Sequence, residues 1–147
     1  YPAAGSERKI LDLSREEQNL NFKSFGKPLT QLELDKARKS VRDVHMSEQV
    51  EEYLVQIVLA TRNSDKYGGD LNNWLEYGAS PRATIALDVC SKALAWLNNK
   101  DFVSPDDIRS VAHDILRHRI ILSFEAEANG VSSDQVIDEL LRVVPSA

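Results

Sequence analysis

Cysteine is nearly absent: the 147 residues hold one, Cys90, which excludes an internal disulfide and any four-thiolate metal centre. That usage fits a reducing compartment, and the cytoplasm is the expected location. Glycine and proline are sparse too, at six and five residues, too few for a fibrous or low-complexity chain. No apolar run approaches the roughly 20 residues of a membrane-spanning helix, so no membrane span is expected. Basic charge is in deficit. Eighteen Lys and Arg against 23 Asp and Glu leave a formal charge of −5, which argues against nucleic acid as a partner, because grip on a phosphate backbone comes from clustered cations. The opening Tyr1-Pro2-Ala3-Ala4 has neither an initiator Met nor an apolar signal core, and reads as the continuation of something longer.

What is present suits a single helical domain: 42% of residues are hydrophobic and 28% charged. Ser6 can cap a first helix carrying Ile10, Leu11 and Leu13, followed by an irregular connection through Asn19, Asn21 and Gly26-Lys27-Pro28. Thr30 and Glu33 form a capping box, which Leu29 and Leu34 can close as a hydrophobic staple, opening a helix with Leu34, Ala37, Val41 and Val44 inward. Ser47 caps a second, whose buried stripe is Val50, Tyr53, Leu54, Ile57, Val58 and Thr61. Periodicity then vanishes over residues 63–79, where Tyr67, Trp74, Leu75 and Tyr77 alternate with glycines and asparagines; so long a connection is either functional or internally packed.

Ser80-Pro81 restarts the helix, with Ile85, Ala86, Val89, Cys90, Ala93, Leu94 and Leu97 expected inward and Asn98-Asn99 as its left-handed ending. Cys90 is thus expected to be a small core residue. Phe102-Val103 reads as a short extended piece that could pair with Arg119-Ile120-Ile121-Leu122. Between them Ser104-Pro105-Asp106-Asp107 starts a helix burying Ile108, Val111, Ala112, Ile115 and Leu116. A last helix, capped by Ser132 or Ser133, buries Val136, Ile137, Leu140, Leu141 and Val144. The expectation is a mainly α, compact helical bundle of five or six helices with at most two very short strands.

Several chemistries lack their residues. A phosphate-cradling loop needs G-x-x-x-x-G-K-[ST], and the only Gly-Lys, Gly26-Lys27, runs into Pro28. Val136-Ile137-Asp138-Glu139 imitates a Mg²⁺-organising strand end but lies in a helical pattern. His113 and His118, five apart, fall on different faces of a helix and make a poor metal pair. Two features carry more. Gly78-Ala79-Ser80-Pro81-Arg82-Ala83 places a guanidinium in the first turn of a helix, where the dipole disfavours a cation unless an anion joins it. On spacing alone Arg82 either awaits such an anion, points to solvent or pairs with an acid such as Glu76. Arg117-His118-Arg119 is a small basic cluster, either complementing a helix C-terminus or forming an interface.

Taken together, Tyr53 to Arg62, Tyr77 to Ala83, Val103 to Asp107, Leu116-Arg117-His118-Arg119-Ile120 and Glu125 through Pro145 resemble the carboxy-terminal lid of MoxR-type AAA+ ATPases, in order and spacing from about Leu29 to Pro145. The resemblance implies that residues 1–28 are the linker and first helix leaving an ATPase core, and that residues 29–147 are a helical lid. Arg82 then matches the sensor 2 arginine that reaches the nucleotide's γ-phosphate, supported by Gly78, Ala79, Ser80 and Pro81. Trp74, Tyr77, Arg117 and Arg119 become candidate interface residues. ATP and Mg²⁺ would belong to the parent protein and neither to this stretch alone, which lacks the P-loop, the Mg²⁺-binding acids, sensor 1 and the arginine finger. The implied partners are the AAA+ core of the same chain, neighbouring subunits of a ring, and a von Willebrand factor A domain protein, in chaperone-like remodelling or activation of clients. Asn98-Asn99-Lys100 departs from the family's frequent Gly-Arg at that turn. The alternative is a stand-alone helical interaction module in which Arg82 is incidental.

Overall fold

A computed structural model describes residues 3–18, 26, 28–68 and 70–146. Tyr1, Pro2, Asn19, Asn21 and Lys27 of the expected linker and connection lie outside the described residues. Two compact units are distinguished, Tyr1–Leu34 and Asp35–Ala147. In the first, helix α1 spans Ala4–Gln18. It begins before Ser6, because the Ala3 carbonyl accepts from the amides of Ser6 (2.8 Å) and Glu7 (3.1 Å), making Ser6 a helical residue and not the cap. The capping box at Thr30 forms as expected: Glu33 Oε2 accepts from the Thr30 amide at 2.7 Å, and Thr30 Oγ1 accepts from the Glu33 amide at 3.2 Å. These bonds hold the Glu33 carboxyl below its usual pKa. Leu29 remains exposed, so hydrogen bonds and not an apolar staple open helix α2, Gln31–Asp43.

In the second unit, α3 (Glu48–Ala60) is buried along Val50, Tyr53, Leu54, Ile57 and Val58, the stripe its period predicts, and Ser47 Oγ accepts from the Val50 amide. It meets α6 (Pro105–Leu116) through Ile108, Ala112 and Leu116, and α8 (Ser133–Val143) through Val136, Ile137 and Leu140. A capping box between Ser132 and Gln135 starts α8. Each fully buried Leu or Ile contributes about 1.5–3 kcal/mol over its exposed state, so these stripes are a substantial source of cohesion.

Helix α5 (Pro81–Leu97) has the expected bounds and the expected ending, with Asn99 in the left-handed region at φ 57°. Its orientation differs from expectation. The buried stripe is Ala83, Leu87, Ser91 and Ala95, while Ile85, Val89, Leu97 and Cys90 are exposed. Three of these four side chains are small and Leu87 fills the space between them, which lets α5 pack against α6, its principal neighbour. Because the helix is apolar over most of its circumference, the larger residues can be mistaken for the inward ones.

The turn from α5 to α6 is pinned by a buried acid. Asp107 Oδ2 accepts from the Ser104 amide (2.9 Å) and hydroxyl (2.7 Å), and Lys100 Nζ lies 2.9 Å from Oδ1. Burial by itself raises the Asp107 pKa, but the Ser104 hydrogen bonds and the Lys100 charge outweigh it and hold the carboxyl below its usual range.

The described residues of the stretch 63–79 are internally packed. A 3-10 turn at Ser64–Lys66, a one-turn helix α4 (Leu71–Trp74) and strand β1 (Leu75–Tyr77) fill it, anchored by the fully buried Leu71. Strand β2 (Ile121–Leu122) pairs antiparallel with β1 and not with Phe102-Val103, matching Leu75 to Leu122 and Tyr77 to Ile121. Phe102 instead makes a parallel bridge to His45. A short helix α7 (Phe124–Ala128) follows, and its cap Ser123 ties back to α4, the amide donating to the Trp74 carbonyl at 2.8 Å. The expectation of five or six helices omits α4 and α7; among the described residues there are eight helices and one two-stranded sheet.

Candidate functional site

The run Gly78-Ala79-Ser80-Pro81-Arg82 leaves β1 and enters α5, and the end of α3 holds it. Thr61, almost fully buried, donates from Oγ1 to the Val58 carbonyl at 2.6 Å and accepts from the Ala79 amide at 2.9 Å. Arg62 Nε donates to the Ala79 carbonyl at 2.6 Å. Both backbone groups of Ala79 are therefore bound to consecutive side chains of one turn, and Ala79 itself is 0% exposed. Gly78 makes the approach possible: a Cβ there would lie 2.3 Å from the Thr61 carbonyl oxygen and 2.5 Å from its carbon. The need here is for space, not for an unusual φ.

Ser80 occupies the N-cap position of α5 with extended backbone, and Pro81 is the first helical residue. The Ser80 hydroxyl makes no capping bond, contrary to the expected role; its carbonyl accepts from the Ala83 amide at 2.8 Å. Arg82 follows, exposed, and no hydrogen bond or ion pair joins it to a described residue. Glu76 is not its partner. The sequence left three fates open for this guanidinium, and the internal ion pair is the one not adopted.

At about 100° per residue, Arg82, Ile85, Val89 and Trp96 fall within an arc of about 60° on α5. Ile85 is 65% exposed, Val89 52% and Trp96 37%. An unpaired cation thus heads an apolar stripe on the outer face of the helix that Ala83, Leu87, Ser91 and Ala95 hold from beneath.

The other candidates separate. Tyr77 is exposed on β1 and Trp74 half-buried at the end of α4. Arg117 is engaged within the fold, its Nε 2.6 Å from Asp134 Oδ1 and its Nη1 3.4 Å from Asp114 Oδ1, so it ties the end of α6 to the start of α8. The Asp134 hydrogen bond leads in raising its pKa. Arg119 is half-buried, with a buried Nε that has no hydrogen-bond partner among the described residues. His113 Nε2 lies 3.0 Å from Asp138, and Glu139 pairs with Arg142; Val136-Ile137-Asp138-Glu139 is a helical segment of α8. Among the described residues no three His, Cys, Asp or Glu are grouped to hold a metal, and no helix is long and apolar enough to cross a membrane. Thr61 and Arg62 were missed as site residues by sequence reasoning. Thr61 counts there only as a buried position, and no local spacing links it to Ala79, 18 residues on.

Comparison with known proteins gives this geometry a context. Residues 72–140 match the AAA lid domain family. The chain is 37% identical to Chaperone MoxR1 of Mycobacterium tuberculosis over 94 residues, 63% of this chain and 25% of that protein. It is 28% identical to the YeaC protein of Bacillus subtilis over 144 residues, 98% of this chain and 42% of that one. The crystal structure of a putative ATPase from Cytophaga hutchinsonii superposes with a TM-score of 0.81 at 40% identity, covering 100% of this chain and 44% of that one. The chain therefore spans less than half the length of each of these relatives. Family match, sequence relatives and superposed fold agree with the mainly helical architecture, and residues 72–140 belong to the AAA lid domain family, in a chain similar to MoxR proteins.

Proposed function

We propose that this lid reports the nucleotide state of an AAA+ ATPase core carried by the same polypeptide, with Arg82 as the sensor 2 arginine. The observation that carries the reading is the exposed, unpaired guanidinium on the second residue of α5, where the helix dipole repels it and free phosphate oxygens would satisfy both. The apolar stripe behind it, Ile85, Val89 and Trp96, supports a protein surface around that anion, such as the flank of the core.

Magnitude assigns the division of labour. A hydrogen bond to a charged group contributes roughly 1.5–3 kcal/mol, whereas millimolar affinity requires about 4 kcal/mol. Arg82 alone does not retain ATP. It supplies differential affinity for a closed over an open arrangement once the core holds ATP and Mg²⁺. A P-loop and Mg²⁺-binding acids in that core would supply the hydrolytic chemistry. In this reading the ATPase forms a ring, acts in the cytoplasm and remodels or activates client proteins with a von Willebrand factor A domain partner. The name of the M. tuberculosis relative, a chaperone, supports that direction.

The test is Arg82→Ala in the full-length ATPase. Losing a charged phosphate contact lowers kcat by about 10- to 150-fold, with the fold retained because the side chain is exposed and makes no hydrogen bond or ion pair with a described residue. Unchanged turnover overturns the sensing role and leaves the interaction-module alternative.

A further inference from the structure

We infer that Thr61 and Arg62 are positioning residues for Arg82, holding the first turn of α5 at a fixed place on the end of α3. This rests on the sensing role assigned to Arg82 above. Ala79 is the only described residue whose amide and carbonyl are both bound by adjacent side chains of another element, Thr61 Oγ1 at 2.9 Å and Arg62 Nε at 2.6 Å. Thr61 is itself fixed, since its hydroxyl proton is committed to the Val58 carbonyl at 2.6 Å and the lone pair that meets Ala79 is thereby aimed. Gly78 lies on the Thr61 peptide, and Arg62 Cγ lies 2.9 Å from where a Gly78 Cβ would be. On the other side of the loop, β1 is paired to β2 through Tyr77 and Ile121.

Arg82 stands three residues beyond Ala79, after a proline whose φ is fixed. The conformational freedom between the clamp and the guanidinium's Cα is therefore small, and the buried Ala83 closes the far side. An interaction that depends on meeting a phosphate oxygen is sensitive to such placement: an error of about 1 Å costs on the order of 100-fold in rate. A capping hydroxyl at Ser80 would ordinarily steady this turn, and it makes no such bond here. The clamp supplies the missing constraint from α3.

The experiment uses the full-length ATPase with Thr61→Val, Thr61→Ser, Arg62→Ala and Arg82→Ala, singly and with Arg82→Ala as second substitution. Thr61→Val and Arg62→Ala are expected to lower kcat about tenfold with KM for ATP within about twofold, because the core holds the nucleotide and only the placement of the sensor is lost. Thr61→Ser, which keeps the hydroxyl, restores kcat to within about twofold. On the Arg82→Ala background neither substitution lowers kcat further. Without nucleotide, amide exchange over residues 78–84 accelerates in Thr61→Val and Arg62→Ala and stays protected in Thr61→Ser and Arg82→Ala.

Equal losses on both backgrounds, or no rescue by serine, overturn the inference in favour of a general structural role. Normal turnover in Thr61→Val and Arg62→Ala beside a slow Arg82→Ala overturns the clamp alone. Normal turnover in Arg82→Ala overturns the sensing role and the clamp with it. Should Thr61→Val fail to fold, the exposed Arg62 decides the matter through Arg62→Ala.

Discussion

Gly78→Ala is the sharpest probe of the loop that leads to Arg82. The backbone of Gly78 is not in the left-handed region, so alanine is conformationally acceptable and the whole penalty is steric. Its Cβ would sit 2.3 Å from the Thr61 oxygen and 2.5 Å from the Thr61 carbon, both backbone atoms that no rotamer change removes. Either the loop lifts from α3 or the end of α3 gives way, and forced overpacking of this kind costs about 1–3 kcal/mol. At roughly 2–4 °C per kcal/mol for a chain of this size, Tm falls by about 2–12 °C. Gly130→Ala is the matched comparison: no atom lies within 4 Å of its added Cβ, but φ is +75°. It loses about 1–2 kcal/mol through left-handed strain alone. Circular-dichroism melts give the stabilities, and amide exchange at Ala79 separates the causes, since only Gly78→Ala must detach that amide from Thr61. A Gly78→Ala protein melting within about 1 °C of wild type, with Ala79 still protected, refutes the close-approach argument.

Two further outcomes follow from the packing. Cys90 is exposed on α5, so the native protein reacts with a thiol reagent at a rate close to that of a denatured control; protection by several orders of magnitude would return Cys90 to the core. Asp107→Ala loses the bonds to Ser104 and Lys100 and costs about 1.5–3 kcal/mol at pH 7 in urea titrations. Because the folded pKa of Asp107 is depressed, its contribution is fully present above its unfolded pKa of about 3.9 and disappears as pH falls through the lower folded value. The gap between wild type and variant therefore closes below about pH 4; a gap constant down to pH 2 would assign the stabilisation to packing.

Amphipathic period located α3, α6 and α8 with their buried residues, because each packs one narrow stripe of large side chains against the others. Local chemistry located the capping box at Thr30, narrowed the α8 cap to Ser132 or Ser133 and placed a left-handed residue at Asn98-Asn99, since the partners lie within a few residues; the structure selects Ser132 and Asn99. The same reasoning failed on α5, where Ala83 and Ser91 are inward and Ile85 and Val89 outward; side-chain size is a poor guide when close helix contact selects small residues. It also failed on the β1 pairing, because Leu75 and Leu122 are brought together by the intervening helices and not by any signal of their own. Arg82 stood out in the sequence through its conflict with the helix dipole. Thr61 and Arg62 did not, for a tie between side chain and backbone leaves no trace in the residue types of the loop it secures.

The fastening of Ala79 at both its amide and its carbonyl has a mechanical result. A segment tethered in that way is no hinge, so a displacement of the first turn of α5 finds little slack in the backbone between it and the end of α3. A shift of that turn is handed on to α3 and to the α6 and α8 helices packed alongside it, as a crank passes on the motion of its handle.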